Sequence, residues 1–275
     1  MPPYFGIRCF RQSYWHLDST LAMFSTENSN YTLHRNVIDI WLCQADKLQS
    51  KADDFYTALS VEEIRRAERF KFATHKKRFI IFHAFMRKVL AKYLTLDAKQ
   101  LHYIKGEKGK PYISLNPDNT QANEVPLLQF NLSHTGDVAL LAVTQKGELG
   151  IDIECIDRKT DWQGIARRFF TLSEQASLFS LPELQQRLAF YELWTRKEAY
   201  MKVLGSGLSL SPTGFSLTVP PEKPAVIQHH SHKYRTEQLI SFEQIILPET
   251  LNNYFSTIAS ESPIQNINCY KFNLT

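Results

Sequence analysis

The sequence has few cysteines, no long apolar run and no leader-like N-terminus, and each absence excludes a class of protein. Its four cysteines, Cys9, Cys43, Cys155 and Cys269, show no CxxC spacing, which favours a reducing compartment over a disulfide framework or a zinc site. No run reaches the length of about 18 apolar residues that a membrane span needs. The N-terminus lacks the basic start, apolar stretch and cleavage site of a secretory signal, so we expect a cytoplasmic protein.

Signatures of several enzyme and binding classes are missing as well. The turn GEKGKPYI at 106–113 does not match GxxxxGK[ST], which excludes a P-loop. There is no GxSxG, and the adjacent Ser133 and His134 point to opposite faces of a predicted strand, so a hydrolase triad is disfavoured. Basic helices lie between Arg65 and Lys92, yet no nucleic-acid-binding motif accompanies them and the net charge is only +4.

A pattern of strand, helices and strands occurs twice along the chain and indicates an α/β protein. The first round contains the strand VIDIWLC at 37–43, a capping box from Ser60 to Glu63 and an amphipathic helix at 74–94. The second contains the strand ELGIDIECI at 148–156, a capping box from Thr171 to Glu174 and a long helix at 182–204. The shared Ile-Asp-Ile is short, so a duplication and a chance match are equally open at this point.

Three finer expectations concern single elements. In the helix at 74–94, an apolar stripe from Phe79 to Tyr93 faces the core, and Arg87 lies mainly elsewhere on the surface. Gly205 is predicted to end the long helix at 182–204. The short apolar runs of the tail, of which the last is NCYKFNL at 268–274, predict antiparallel strands.

Two acids on the strand at 148–156 suggest a metal site. Strand alternation puts Asp152 and Glu154 on one face, where they repel one another unless a cation offsets them. Mg²⁺ takes such oxygen ligands, and Glu198 on the long helix is the leading candidate for a third. The alternatives are a half-exposed strand with its polar face in water and, for Glu198 and Lys202, an ordinary i,i+4 surface salt bridge.

Two polar turns add candidate anion-binding groups. The Gly-rich turn offers backbone N–H groups with Lys108 and Lys110, which suit a phosphate or a base edge, and a charged hairpin turn is the alternative. The segment NLSHTGD at 131–137 places small hydrogen-bonding groups and a histidine where a strand ends. A turn that orders itself through Ser133, Thr135 and Asp137 is the alternative there.

The order of these motifs is more specific than any one of them. GKP, NLSH, GIDIE and WTRKEAYMKVLGSGL form a set that resembles the motifs of the Sfp-type 4'-phosphopantetheinyl transferases, over about residues 59–208. The resemblance implies an α/β (α+β) fold of two similar α/β halves related by pseudo-twofold symmetry, with the active site in the cleft between them. The implied halves are residues 1–147, with the basic helices and the GKP and NLSH motifs, and residues 148–275, with the GIDIE and WTRKEAYMK motifs.

The resemblance also implies an enzyme and its reaction. Such an enzyme transfers 4'-phosphopantetheine from coenzyme A to a serine of an apo acyl or peptidyl carrier protein and releases adenosine 3',5'-bisphosphate. Asp152, Glu154 and Glu198 would hold Mg²⁺ against the coenzyme A pyrophosphate, and Lys202 would neutralise phosphate charge. Glu198, or a neighbouring acid through water, would help to take the proton from the carrier serine. The carrier brings the nucleophile, so no Ser-His-Asp or Cys-His set is needed.

Further residues are implied around coenzyme A. They are Arg66 and Arg78 near the 3'-phosphate, Lys110 and Pro111 beside the adenine, and Ser133 and His134 on the phosphates. Trp194 is implied to pack the helix that carries Glu198. The chain departs from many relatives in reading NLSHT rather than NLSHS and in placing Arg196 before Lys197, and neither change removes an implied ligand.

Two alternatives compete with the transferase. One is a non-catalytic module that binds coenzyme A or a carrier protein, which the presence of all three carboxylates and Lys202 disfavours. The other is a nucleic-acid-binding protein that uses the basic helices. We expect a monomer that binds coenzyme A and, transiently, the acidic helix of a fatty-acid, polyketide or non-ribosomal peptide carrier. We expect neither nucleic acid nor a membrane as a partner.

Overall fold

The computed structural model describes residues 24–25, 33–34, 36–106, 109–114, 128–157, 159–205, 211–221, 225–229 and 239–273, so that Cys9 and Lys108 lie outside the described residues. The α-helices in these ranges are α1 (Ala52–Tyr56), α2 (Val61–Glu68), α3 (Ala73–Leu94), α4 (Trp162–Phe169), α5 (Leu172–Ser180) and α6 (Glu183–Val203). Short 3-10 helices cover Ala45–Lys51, Ala98–Gln100, Pro212–Gly214 and Glu249–Leu251. The strands are β1 (Val37–Gln44), β2 (His102–Lys105), β3 (Pro111–Ser114), β4 (Gln129–Thr135), β5 (Val138–Thr144), β6 (Leu149–Cys155), β7 (Phe215–Leu217), β8 (Ile227–His229), β9 (Ser241–Gln244), β10 (Tyr254–Ser260) and β11 (Asn266–Lys271).

The first sheet has the strand order β11-β1-β5-β4. β5 runs antiparallel to both β1 and β4, and β4 and β5 form a hairpin that turns at Gly136 and Asp137. α3 packs on this sheet, and its Phe82 and Phe85 are buried together with Trp41 of β1 and Phe130 of β4. The expectation that Arg87 of α3 lies at the protein surface is wrong, because this arginine is only 1% exposed.

The last strand, β11, returns to the first sheet although it follows the second half in sequence. It pairs in parallel with β1, with Ile38 opposite Ile267 and Ile40 opposite Cys269. The prediction of an antiparallel strand at 268–274 is wrong in direction, because apolar alternation indicates a strand without indicating its partner. The division of the chain after residue 147 stays a prediction, and β11 lies across it.

The second sheet has the order β6-β10-β9, with antiparallel pairing throughout. α6 packs on β6 and β10, and the core beneath it includes Tyr200, Phe215 and Phe255. Gly205 follows the helix with φ +59°, a left-handed conformation that glycine adopts without strain, so the predicted helix end is confirmed. Two hairpins, β2-β3 and β7-β8, lie beside the sheets. Across the described ranges, no helix is long and apolar enough to cross a membrane.

Each half has an ion pair that joins a capping-box helix to a long helix, part-buried in the first half and buried in the second. Glu63, in the capping box of α2, accepts a hydrogen bond from Arg87 of α3 at 2.8 Å. Glu174, in the capping box of α5, accepts from Lys197 of α6 at 2.7 and 2.9 Å. The prediction of two similar α/β halves is confirmed. The same pairing explains why Arg87 is buried, since its charge has an anionic partner inside the protein.

Candidate active site

The site lies where β4 of the first sheet meets β6 of the second. The Asn131 side chain of β4 accepts a hydrogen bond from the Ile151 backbone N–H at 2.9 Å. Ser133, two residues further along β4, donates to Asp152 of β6 at 2.9 Å. Ile151 and Ile153 belong to the apolar core, so strand alternation turns Asp152 to the opposite face. These contacts join the two halves at the polar face of β6.

Asp152, Ser133 and Lys202 form a closed hydrogen-bond network. Lys202, in the last turn of α6, donates from its ammonium to Asp152 Oδ1 at 2.7 Å, to Ser133 Oγ at 2.8 Å and to the Ile151 carbonyl at 2.9 Å. These three acceptors use all the N–H donors of the ammonium. Asp152 is 4% exposed, and the cation offsets the cost of burying its carboxylate.

Glu154 and Glu198 lie beside this network. Burial first, and then the charge of Asp152, raise the pKa of Glu154 to about 7 and raise the pKa of Glu198 above its usual 4.5. Trp194 of α6 donates a hydrogen bond to the Glu154 carboxylate, which partly opposes the rise in its pKa. Both acids of β6 thus face α6, as the alternation of a strand requires.

The three carboxylates have the chemistry of a hard-cation site. Asp152 Oδ2 is buried and has no hydrogen-bond partner among the described residues, and Asp152 raises the pKa of both neighbouring acids by repulsion. A divalent cation would satisfy the buried oxygen and relieve this repulsion, and Mg²⁺ prefers oxygen ligands. In the part of the chain that the structure describes, no three His, Cys, Asp or Glu side chains stand close enough together to hold a metal. The magnesium set of Asp152, Glu154 and Glu198 therefore stays a prediction.

The raised pKa of Glu154, about 7, predicts a pH-dependent stability. Since the folded chain holds this proton to a higher pH than the unfolded chain, the folded state loses stability as pH rises from about 4.5 to about 7. In metal-free buffer, E154Q is expected to lose this dependence and to be about 1–3 kcal/mol more stable than the wild type above that window. Urea unfolding in the presence of a chelator, at a series of pH values, measures the difference. E243Q, at an exposed position of β9, is the control, and equal pH dependence of E154Q and wild type would contradict the prediction.

Gly150 allows α6 to lie directly on β6. A Cβ at this position would stand 2.7 Å from Lys202 Cβ and 2.7 Å from the Val203 backbone nitrogen, and it would overlap the Ala199 carbonyl oxygen. Two of these neighbours are helix backbone atoms, which cannot rotate away. The glycine of GIDIE therefore lets the helix that carries Lys202 pack against the strand that carries Asp152.

Gly150→Ala is expected to destabilise the protein by about 1–3 kcal/mol, because the added methyl group overpacks the interface between α6 and β6. Turnover is expected to fall with it, since α6 has to move away from Asp152. Urea unfolding and steady-state rates measure the two effects. Gly164→Ala is the control for a clash with a side chain: its added methyl group would meet Asp161, the N-cap of α4, so it is expected to cost about 1 kcal/mol of capping energy and to leave the rate unchanged. A Gly150→Ala variant as stable and active as Gly164→Ala would show that α6 adapts without loss.

The basic residues predicted for a 3'-phosphate lie on α2 and α3. Arg78 makes a two-pronged ion pair with Asp137, at 2.7 and 2.8 Å, and the two side chains are 30% and 32% exposed. Arg66 is exposed, and its guanidinium lies 5.0 Å from the centre of the Phe79 ring. Arg78 is thus held in place by an acid, whereas Arg66 lies against an aromatic ring.

The other residues predicted around coenzyme A differ in solvent exposure; they are Lys110, Pro111 and His134. Lys110 is 7% exposed and its ammonium donates to the Glu148 carboxylate at 2.6 Å, so the cation points into the protein. Pro111 is exposed at the start of β3. The His134 ring stacks on Phe82 of α3, with ring centres 5.1 Å apart. Lys110 and Pro111 stay predicted to border an adenine. The atoms available for this contact are the Lys110 backbone and the Pro111 ring, since the Lys110 ammonium is buried.

Sequence patterns miss three contributors to the site. Trp194 contacts Phe169 of α4, with ring centres 5.7 Å apart, and it also donates to Glu154. Asp137 orients Arg78, and Gly150 permits the close helix–strand contact. A glycine inside an otherwise apolar strand is the one available signal, because it marks a close approach of another backbone.

The first half has an aspartate at the corresponding strand position, but no lysine faces it among the described residues. Asp39 is the aspartate of Ile-Asp-Ile in β1, as Asp152 is in β6, and it is 3% exposed. Its carboxylate accepts from the Tyr93 hydroxyl at 2.6 Å and from the Asn268 amide at 2.9 Å. Tyr93 stands one residue before the end of α3, where Lys202 stands in α6. Neutral donors thus satisfy Asp39, and the acid–lysine network belongs to the second half.

The fold and the site together define a class of protein. Two similar α/β halves meet at a buried aspartate that pairs with a lysine and a serine, beside two further acids of raised pKa. Lysine and serine donors suit phosphate oxygens, and clustered carboxylates suit a hard cation. The class is therefore one of α/β proteins of two similar halves with an acid–lysine network where the halves meet.

Comparison with known proteins identifies the family. Residues 148–257 match the 4'-phosphopantetheinyl transferase superfamily, and residues 47–146 match the family described as 4'-phosphopantetheinyl transferase, N-terminal. The 4'-phosphopantetheinyl transferase HetI of Nostoc sp. is 35% identical over 200 residues, which are 72% of this chain and 81% of the relative. A 4'-phosphopantetheinyl transferase of Bacillus subtilis is 35% identical over 165 residues, or 60% and 68% of the two chains. This chain belongs to the 4'-phosphopantetheinyl transferase superfamily and is a transferase, as its motif order predicts.

Proposed function

We propose that this enzyme transfers the 4'-phosphopantetheine group of coenzyme A to a serine of an apo acyl or peptidyl carrier protein and releases adenosine 3',5'-bisphosphate, in a Mg²⁺-dependent reaction. The network of Ser133, Asp152 and Lys202, with its unpartnered Asp152 Oδ2, carries this proposal. Transfer of a phosphoryl group relies on cations at the phosphates and on a positioned nucleophile more than on covalent catalysis by the protein.

The acids of the site would hold the metal and receive the proton. Asp152, Glu154 and Glu198 are the residues that would hold Mg²⁺, and the bound ion would supply positive charge to the pyrophosphate. Glu198, or a neighbouring acid through water, is the candidate base for the carrier serine, because it lies beside Asp152 and Lys202 at the proposed phosphate site. Trp194 would fix the Glu154 carboxylate by its hydrogen bond.

The donors of the site would bind the phosphates of coenzyme A. The Lys202 ammonium and the Ser133 hydroxyl lie 2.8 Å apart, and the Lys202 side chain is 26% exposed, so a pyrophosphate could reach it. Both groups would exchange acceptors that they hold now, Asp152 Oδ1 in each case, for neighbouring oxygens of that pyrophosphate. His134 follows Ser133 in β4 on the opposite, exposed face and would hydrogen-bond a further phosphate oxygen of coenzyme A. Arg78 and Arg66 would bind the 3'-phosphate, and the backbone at Lys110 with Pro111 would border the adenine.

Mass spectrometry of an apo carrier protein tests the proposal. The enzyme is incubated with coenzyme A, Mg²⁺ and, in turn, an apo acyl carrier and an apo peptidyl carrier of known sequence. The expected result is a mass gain of one phosphopantetheine on the carrier serine, with one adenosine 3',5'-bisphosphate released per carrier. A serine-to-alanine carrier and a reaction with excess chelator serve as controls, and neither should gain mass. Binding of coenzyme A without a mass gain on any carrier would overturn the proposal.

Dephospho-coenzyme A tests the proposed contacts to the 3'-phosphate in the same assay. It lacks the 3'-phosphate, so it is expected to raise KM relative to coenzyme A while the transferred group and the carrier product stay the same. An unchanged KM would remove Arg66 and Arg78 from the proposed binding set without affecting the transfer itself.

A further inference from the structure

Lys110 is a buried cation at a junction of three elements. It precedes β3 and follows Gly109, whose φ of +89° turns the chain inward at this point. Its ammonium donates to the Glu148 carboxylate at 2.6 Å, to the Leu149 carbonyl at 2.7 Å and to the Lys202 carbonyl at 3.3 Å. The residue is 7% exposed, so a hairpin residue of GEKGKPYI reaches into the protein instead of toward solvent.

This arrangement leaves the ammonium without a donor for a ligand. A lysine ammonium has three N–H donors, and three acceptors surround it here. Burial lowers the pKa of Lys110, and Glu148 opposes that change, so the carboxylate also favours the charged form that the contacts need. A nucleotide phosphate or base edge would have to displace a buried ion pair to reach this nitrogen.

The acceptors belong to the two elements that carry the active site. Leu149 is the first residue of β6, three positions before Asp152. Lys202 lies in the last turn of α6, and its carbonyl accepts from the Gly205 N–H at 3.2 Å as well as from Lys110. A cation at this end also interacts favourably with the helix dipole. Gly205 packs over the same lysine, since a Cβ there would lie 3.6 Å from Lys110 Cβ.

We propose that Lys110 is a positioning residue that ties the end of α6 to the start of β6 and thereby sets where Lys202 and Glu198 lie relative to Asp152. Its side chain does not bind the nucleotide. This role for Lys110 depends on the proposed function in one respect only: the transfer rate is one of the two measurements that test it. The lysine of GKP thus holds α6 in position, and its side chain does not contact the ligand.

Kinetics and nucleotide binding together test this role. Lys110→Met keeps the length of the side chain and removes the charge, and it is expected to lower kcat by about tenfold or more, because small displacements of reacting groups are costly. The Kd for adenosine 3',5'-bisphosphate, measured by calorimetry, is expected to weaken by a smaller factor than kcat, because the proposed adenine and 3'-phosphate contacts stay in place and only the 5'-phosphate would face Lys202. Lys105→Met, at an exposed position of the same hairpin, is the control for lost charge. A weakened Kd with an unchanged kcat would overturn the proposal, since it is the result of a direct nucleotide contact.

Hydrogen exchange provides a readout that does not require catalysis. The amides of Leu204 and Gly205 bond to the Tyr200 and Lys202 carbonyls at 3.1 and 3.2 Å, and they are expected to exchange faster in Lys110→Met than in Lys105→Met. If Lys110→Met does not fold, Glu148→Gln takes its place, since it keeps an acceptor for the ammonium and removes the charge. Unchanged exchange at the end of α6 in the folded variant would overturn the proposal. If the wild-type enzyme modifies no carrier, the proposed function is contradicted. The role of Lys110 is then decided by hydrogen exchange at Leu204 and Gly205 alone.

Discussion

Asp152→Asn is expected to lower turnover by about 10²–10³-fold, the loss typical of removing one preorganised electrostatic group from an active site. Asparagine fills the same volume but loses the charge that pairs with Lys202 at 2.7 Å and that faces Glu154 and Glu198. It therefore removes both the anionic partner of Lys202 and a proposed Mg²⁺ ligand. The measurement is the rate of phosphopantetheine transfer to an apo carrier, followed by mass spectrometry.

Asp39→Asn is the matched control for this substitution. It changes the same position of Ile-Asp-Ile in the first half, where the carboxylate accepts from Tyr93 and Asn268. The loss of one buried acceptor is expected to destabilise the fold by about 1–3 kcal/mol, while the rate per folded molecule stays within about twofold. The circular dichroism spectrum of Asp152→Asn should match the wild type. A near-wild-type rate in Asp152→Asn would refute the role of this carboxylate.

Lys197→Met is expected to destabilise the protein by about 3–5 kcal/mol, because it leaves the Glu174 carboxylate buried without its cation. Both side chains are 1% exposed or less, and Lys197 also donates to the Phe215 carbonyl at 2.9 Å. Glu174 would keep its hydrogen bonds to the α5 capping box and to the Leu217 N–H, which do not supply a full charge. Urea unfolding measures the loss.

Lys197 directly precedes Glu198, so Lys197→Met shows whether this lysine of the WTRKEAYMK motif stabilises the fold or acts in the reaction. Lys197 faces the core of the second half, whereas Glu198 faces the site, so the rate per folded Lys197→Met molecule should stay within about twofold of the wild type. Lys77→Met, at an exposed position of α3, is the control and should change stability by no more than about 0.5 kcal/mol. Unchanged stability of Lys197→Met, or lost activity in a fully folded sample, would show that the lysine of this motif acts in the reaction instead.

Local features of the fold could be predicted because they are encoded within a few residues. The capping boxes at Glu63 and Glu174 and the end of α6 at Gly205 all form where residue types and spacing place them. The direction of β11 and the burial of Arg87 could not, because each depends on a partner distant in sequence. Arg87 is buried on account of Glu63, 24 residues away, and β11 is parallel on account of β1, at the other end of the chain.

The sequence by itself determined the chemistry that is available to this protein. The motif order places Asp152, Glu154, Glu198 and Lys202 in one family of transferases, and strand alternation puts the first two on one face. Only the tertiary structure decided how these groups pair. It joins Lys202 to Asp152 and Ser133, gives Glu154 an indole donor, and turns Lys110 from the surface into the protein. The physical reason is that a side chain's charge and length are local, whereas its burial and its partners depend on which elements pack together.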